Sequence, residues 1–235
     1  MEDPRRSVIW SPRYFGNIQG FVETGPFANF PTPFGPLMRE GRGTNSNSLM
    51  KQSTVDSIFR RSRYIDIISP RARFPYNIEF QHNGPHAWVG GHLGRLDSGT
   101  FDPVFFCHHA FVDYLWKEFR RNQIRRGVNP YTENVSLSKR APVAGLPGFY
   151  NNDGFSKILY DLSMYRSSPT CSNNCADANR DDLYCDNDKG LCVSREHDIE
   201  IHSMSTLSEE MVQVMKKEIS VLEEMEQFEP VFVTE

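Results

Sequence analysis

Apolar side chains recur at helical spacing in only a few stretches of this chain, and those stretches set the expected elements. The strongest runs from Val104 to Phe119. Asp102 stands before it as an N-cap, Pro103 occupies the favoured first position, and Gly127 provides a stop. A shorter helix is predicted over 53–62, with Ser53 or Thr54 capping "VDSIFRRS". Another is predicted over 78–88, with Gly84-Pro85 making its first part irregular. Near the end, Met211, Met215, Ile219, Leu222 and Met225 fall on one face of a helix over 208–226, capped by Ser208. Such a stripe reads as a core or partner-helix face. Residues 1–52 show no sustained period and read as ordered loops packing aromatics, and 129–166 read as turns with short strands. No internal repeat is present.

Composition narrows the function classes. The 235 residues are 38% hydrophobic, enough for one large domain with a small appendage. A net charge of −4 and a pI of about 6.0 give no reason to expect nucleic acid or an anionic membrane. The basic run "RRNQIRR" (120–126) closes a predicted helix, where cations complement the dipole, and reads as a solvated helix end. No apolar run is long enough to span a bilayer, and "MEDPRRSVIW" lacks the apolar core of a signal peptide.

Cysteine usage points the other way, to an oxidising compartment. Four of the five cysteines fall in "CSNNCADANRDDLYCDNDKGLC" (171–192), a polar stretch with little core. That pattern predicts a two-disulfide knot, with all three connectivities open, over zinc, whose ribbons use C-x2-C pairs. Cys107, in the apolar helix, is expected to be a buried free thiol. Secretory cysteines without a leader imply that the true beginning lies upstream of Met1, and "NVS" at Asn134 matches the glycosylation sequon, a motif short enough to recur by chance.

Five of the seven histidines lie between residues 80 and 116. His82 and His86, four apart on a helix, aim at one point. His108 and His109 differ by about 100° around their helix, so only one of them faces a metal shared with that pair. Zinc hydrolases of the HExxH type place a glutamate as general base, and here the stretch is "HNGPH". Neutral imidazoles also suit copper, and a site among many phenylalanines fits redox chemistry with dioxygen. A spaced histidine pair alone reads as core packing. The same pair followed by a capped helix bearing His-His favours a metal.

"HNGPHAWVGG" followed by "DPVFFCHHAFVDYLW" resembles the second copper site (CuB) of tyrosinases and related type-3 copper proteins. The resemblance starts at "VIWSPRYFGN" and "TGPFANF", and "LYCDNDKGLCVS" is similar to a cysteine-rich extension of molluscan members. It implies copper ligands His82, His86 and His109, with His108 behind them. It also implies that Asn83 holds a water that deprotonates monophenols, with Glu79 as the carboxylate partner. Small Ala87 would leave the copper approachable, Leu96 would lie near the gate, and Asp113 would orient His109. His92, His197 and His202 match no ligand position and are expected in surface roles.

The same resemblance shows what is missing. Two-electron reduction of dioxygen takes two Cu(I), hence six histidines, and no H-x8-H pattern of a first site (CuA) precedes residue 80. The expected fold is mainly α: half of a type-3 copper four-helix bundle with long irregular loops, a small disulfide-rich extension and a C-terminal helix. The expected domains are 1–166 (copper-binding, CuA half absent), 167–195 (cysteine-rich) and 196–235 (tail with amphipathic helix). The expected function is a secreted tyrosinase-like oxidase of phenols and catechols to o-quinones with O2, inactive alone. The alternatives are a non-enzymatic matrix or metal-binding protein of the same fold and, behind it, an oxygen carrier like the haemocyanins. Expected partners are phenolic molecules and O2, with homo- or hetero-association through the C-terminal helix, and neither nucleic acid nor membrane.

Overall fold

Among the described residues a 22-residue helix, Val104–Arg125, is the longest element and organises the rest. The computed structural model describes residues 4–42, 49–68, 71–131, 141–176 and 182–195. The predicted 208–226 helix, His197, His202 and the Asn134 sequon lie outside them. In chain order the helices are α1 (Gln52–Phe59), α2 (Ile78–Val89), α3 (Val104–Arg125) and α4 (Lys157–Leu162). Three antiparallel strand pairs accompany them. Gly20–Phe21 (β1) pairs with Met38–Arg39 (β4) around the small hairpin of Pro31–Thr32 (β2) and Gly35–Pro36 (β3). Leu183–Asp186 (β5) pairs with Leu191–Ser194 (β6). The architecture is mainly helical with long irregular loops, as the hydrophobic pattern predicts. Among the described residues no helix is long and apolar enough to cross a membrane.

The core forms where the C-terminal half of α3 meets α1 and the start of α2. Ile58, Tyr64, Ile67, Ile78, Leu115 and Phe119 are buried together. Each such side chain contributes about 1.5–3 kcal/mol by leaving water. Tyr64 stacks on Trp116, and its hydroxyl donates to the Pro130 carbonyl at 2.9 Å, so its one polar atom is satisfied. A second cluster of Trp10, Ile18, Trp88, Val89 and Leu93 ties the N-terminal loops to the end of α2.

Beside the second cluster, with Arg39 over the Trp10 ring, lies an ion pair with both side chains 0% exposed: Arg39 on β4 grips Asp102 at 2.7 and 2.8 Å. Arg39 also donates to the Phe15 and Asn17 carbonyls, and Asp102 Oδ1 accepts from the Val104 amide at 3.0 Å. Asp102 therefore caps α3 as its sequence position predicts, and both of its oxygens fix that cap to the loops through Arg39.

Several expectations need correction. No side chain caps α1: Lys51, not Ser53 or Thr54, precedes its first turn. Helix α2 is regular through Pro85, whose missing amide forfeits one hydrogen bond. Cys107 is exposed, not buried, because nothing among the described residues packs on its side of α3. "RRNQIRR" is only partly a solvated end: Arg120 is buried and donates to the Phe155 and Ser156 carbonyls. Arg126 caps the carbonyls of Phe59, Arg60 and Arg61 at the end of α1.

The cysteines form two disulfides, Cys171–Cys185 and Cys175–Cys192, which uses their sulfurs and removes the zinc alternative. This extension is tied to the N-terminal segment. The Val8 amide donates to the Arg195 carbonyl, Ser7 bonds Ser194, and Arg13 pairs with Asp182 at 3.3 Å.

Candidate metal centre

The Asn77 side chain fixes the start of α2 by accepting from the Glu79 and Phe80 amides, each at 3.1 Å. His82 and His86 then project from one face, one turn apart. Gly90 ends the helix at φ 62°, with its amide on the His86 carbonyl, and Gly91 continues at φ 55°. A Cβ on Gly91 would lie 2.2 Å from the Met38 carbonyl oxygen, so only glycine allows this return against β4. The turn brings the Leu93 carbonyl beneath His86, whose Nδ1–H donates to it at 2.8 Å. That bond fixes the tautomer: the Nε2 of His86 carries a lone pair.

The Nε2 of His86 lies 3.2 Å from the Nε2 of His82 and 3.1 Å from the Nε2 of His109, and those two are 3.3 Å apart. Three ring nitrogens so disposed cannot all bond one another, since each offers either a proton or a lone pair. They leave room for one ion about 2 Å from each, the usual imidazole–metal distance. His109 stacks on Phe105, ring centroids 3.9 Å apart.

The other member of the doublet is turned away from that point. The Nε2–H of His108 donates to the His82 carbonyl at 2.9 Å, and its ring lies parallel to that of His82 at 5.2 Å. His82, His86 and His108 can also be grouped by nitrogen proximity. The Nε2 atoms of His82, His86 and His109 lie within 3.3 Å of one another, against the 4.8 Å that bounds the group with His108, so the trio with His109 is the tighter donor set.

The electrostatics suit a metal. Burial, then the neighbouring His86, lowers the pKa of His82, while the Glu79 backbone and the Asn83 side chain oppose the shift. Burial also lowers His109, with His82 and His86 adding to it, and pushes His108 down to about 4. Neutral rings are the form that binds metals. An all-imidazole set fits copper among the transition metals.

The remaining candidates divide. Asn83 and Glu79 are both exposed on α2, one turn apart, and Ala87 is exposed one turn beyond Asn83. Leu96 is exposed. Asp113 is exposed and accepts from the Tyr165 hydroxyl. His92 is buried rather than on the surface, bonded to Thr32 and Met38. Sequence reasoning missed His92, the Leu93 carbonyl and the Phe105 stack. The only signal for the first two is the glycine pair before them.

Comparison with known proteins gives the family. Residues 3–122, half of the chain, match the common central domain of tyrosinase. A tyrosinase-like protein of Pinctada maxima is 33% identical over 200 residues, covering 73% of this chain and 43% of that protein. The tyrosinase of Streptomyces glaucescens is 30% identical over 144 residues, covering 53% and 52%. Hemocyanin 2 of Megathura crenulata is 39% identical over 139 residues, covering 57% of this chain and 4% of that protein. The chain therefore belongs to the tyrosinase family of type-3 copper proteins. It spans less than half the length of the molluscan tyrosinase-like proteins it matches.

Proposed function

We propose that this chain holds one copper ion through the Nε2 atoms of His82, His86 and His109, as the second copper site of a tyrosinase-like phenol oxidase. The observation that carries the reading is the convergence of three ring nitrogens within 3.3 Å, with His86 locked in the metal-binding tautomer. Bound copper would supply one of the two electrons that dioxygen reduction takes, and a second copper the other, in the oxidation of phenols and catechols to o-quinones.

The chain's own residues do the rest. His108 buttresses His82 from behind, and Phe105 lies flat against His109, which keeps the rings in place and water from one side. Asn83, with Glu79 one turn before it, would hold a water that takes the proton of a bound monophenol. Ala87 leaves the approach open. A complete two-copper centre needs three more histidines, and the exposed stripes on α2 and α3 are where a second helical pair would cover them. These stripes include Phe80, Phe106 and Phe111. The disulfides favour a secreted protein in which residues 1–166 carry the copper site, 167–195 the cysteine-rich extension and 196–235 an associating tail.

A second reading, a secreted matrix or metal-binding protein that keeps the fold without turnover, is favoured by one fact. Among the described residues one histidine group could hold a metal, and His92 lies outside it.

Copper content per chain and catechol oxidation test both readings. His86→Ala and His109→Ala should abolish copper retention while His197→Ala keeps it, and equal copper in all three would overturn the ligand set. The chain alone should show little catechol oxidation. Robust turnover would mean that further ligands are supplied, as by another chain.

A further inference from the structure

We infer that His92 is a positioning residue for the metal centre, pinning the turn whose Leu93 carbonyl orients His86; this rests on the copper-site reading above. Both of its ring nitrogens are committed. The Thr32 hydroxyl spends its proton on the Gly35 carbonyl at 2.7 Å and accepts from the Phe34 amide at 3.1 Å. With no proton left, that oxygen can only accept from His92 Nε2–H, 3.1 Å away. His92 Nδ1 then carries the lone pair and accepts from the Met38 amide at 3.0 Å.

The backbone of His92 is held as firmly. Its amide donates to the Met38 carbonyl at 3.0 Å, and its carbonyl accepts from the buried Ser98 hydroxyl at 3.0 Å. Four hydrogen bonds thus fix one residue to the β2–β3 hairpin, to β4 and to the turn before α3. The next residue, Leu93, is buried with its carbonyl on His86 Nδ1 at 2.8 Å. A metal-bound histidine depends on the acceptor behind it for tautomer and ring orientation. Here that acceptor is a backbone carbonyl, so no side-chain change at position 93 removes it, and its position depends on His92. The hairpin, 60 residues away in sequence, is thereby coupled to the geometry of a copper ligand.

The test uses the full chain with Cu(II) alone as the probe, reading binding affinity, the copper paramagnetic resonance spectrum and the melting temperature. His92→Leu should weaken Cu(II) binding about tenfold and shift the spectrum, the effect expected of an outer-shell partner. His92→Gln, which keeps a donor and an acceptor, should recover most of the affinity. Thr32→Val, which removes only the Nε2 partner, should shift the spectrum in the same direction by less, and it serves if His92→Leu does not fold. Tyr64→Phe, in the other core cluster, is the control: it should lower the melting temperature and leave Cu(II) affinity and spectrum unchanged. If His92→Leu or Thr32→Val lowers only the melting temperature, His92 is merely structural and the inference fails. A wild-type chain that binds no Cu(II) overturns the copper reading and this inference with it.

Discussion

The two halves of α3 are built to opposite standards. Beyond Leu115 one face of the helix is sealed, with Leu115, Phe119, Arg120 and Gln123 all buried and Arg120 donating to the Phe155 and Ser156 carbonyls, while Ile124 on the other face is exposed. Before it, Phe106 is 64% and Phe111 43% exposed, and Cys107 faces outward. The histidines sit in the open half. Stability and chemistry are thus separated along one helix. The sealed half holds the fold, and the open half presents nitrogens and apolar rings that only a covering surface would bury.

The open half is not loosely held, because the Arg39–Asp102 pair clamps its first turn. Breaking that clamp should have the largest effect. Asp102→Ala leaves a buried guanidinium unpaired and removes the α3 cap, so chemical denaturation should show a loss of about 3–5 kcal/mol. Copper retention should fall with it, since His109 lies two turns in.

The contrast along α3 gives the next prediction. Leu115→Ala should cost about 2–5 kcal/mol by opening a cavity in the sealed half. Phe111→Ala, on the open half, should change stability by less than about 0.5 kcal/mol. A large loss at Phe111 in the chain alone would mean that something already covers that face.

The smallest effect concerns Asp113 and Tyr165. Burial, then the Asp113 carboxylate, pushes the Tyr165 hydroxyl up to about 12. Its folded pKa lies above the ordinary value of 10.0, so its contribution is whole below pH 10 and is lost as pH rises toward 12. The phenolate absorbance difference between wild type and Tyr165→Phe should titrate in that upper range. A midpoint at the ordinary value would break the contact.

How much of this could be read from sequence differs by the range of the interaction. Local signals worked. Asp102-Pro103 and Gly127 bracket α3 because caps and stops act within a turn, and the four-residue spacing of His82 and His86 survives a proline between them. The doublet was different: spacing says that one of His108 and His109 turns away, and only the family resemblance says which. What failed was non-local. His92 looked incidental because its partners, Thr32 and Met38, lie more than fifty residues away. The acceptor behind His86 is a main-chain oxygen, which has no letter in the sequence. Cys107 is exposed on an apolar helix: an apolar pattern does not say which stripe finds a neighbour.

X-ray absorption at the copper edge of the loaded 235-residue chain tests the half-site most directly. One copper per chain with a shell of three imidazole nitrogens at about 2 Å, no sulfur and no metal–metal scattering is the expected result. A sulfur shell, or a second copper within scattering range in the isolated chain, would contradict it.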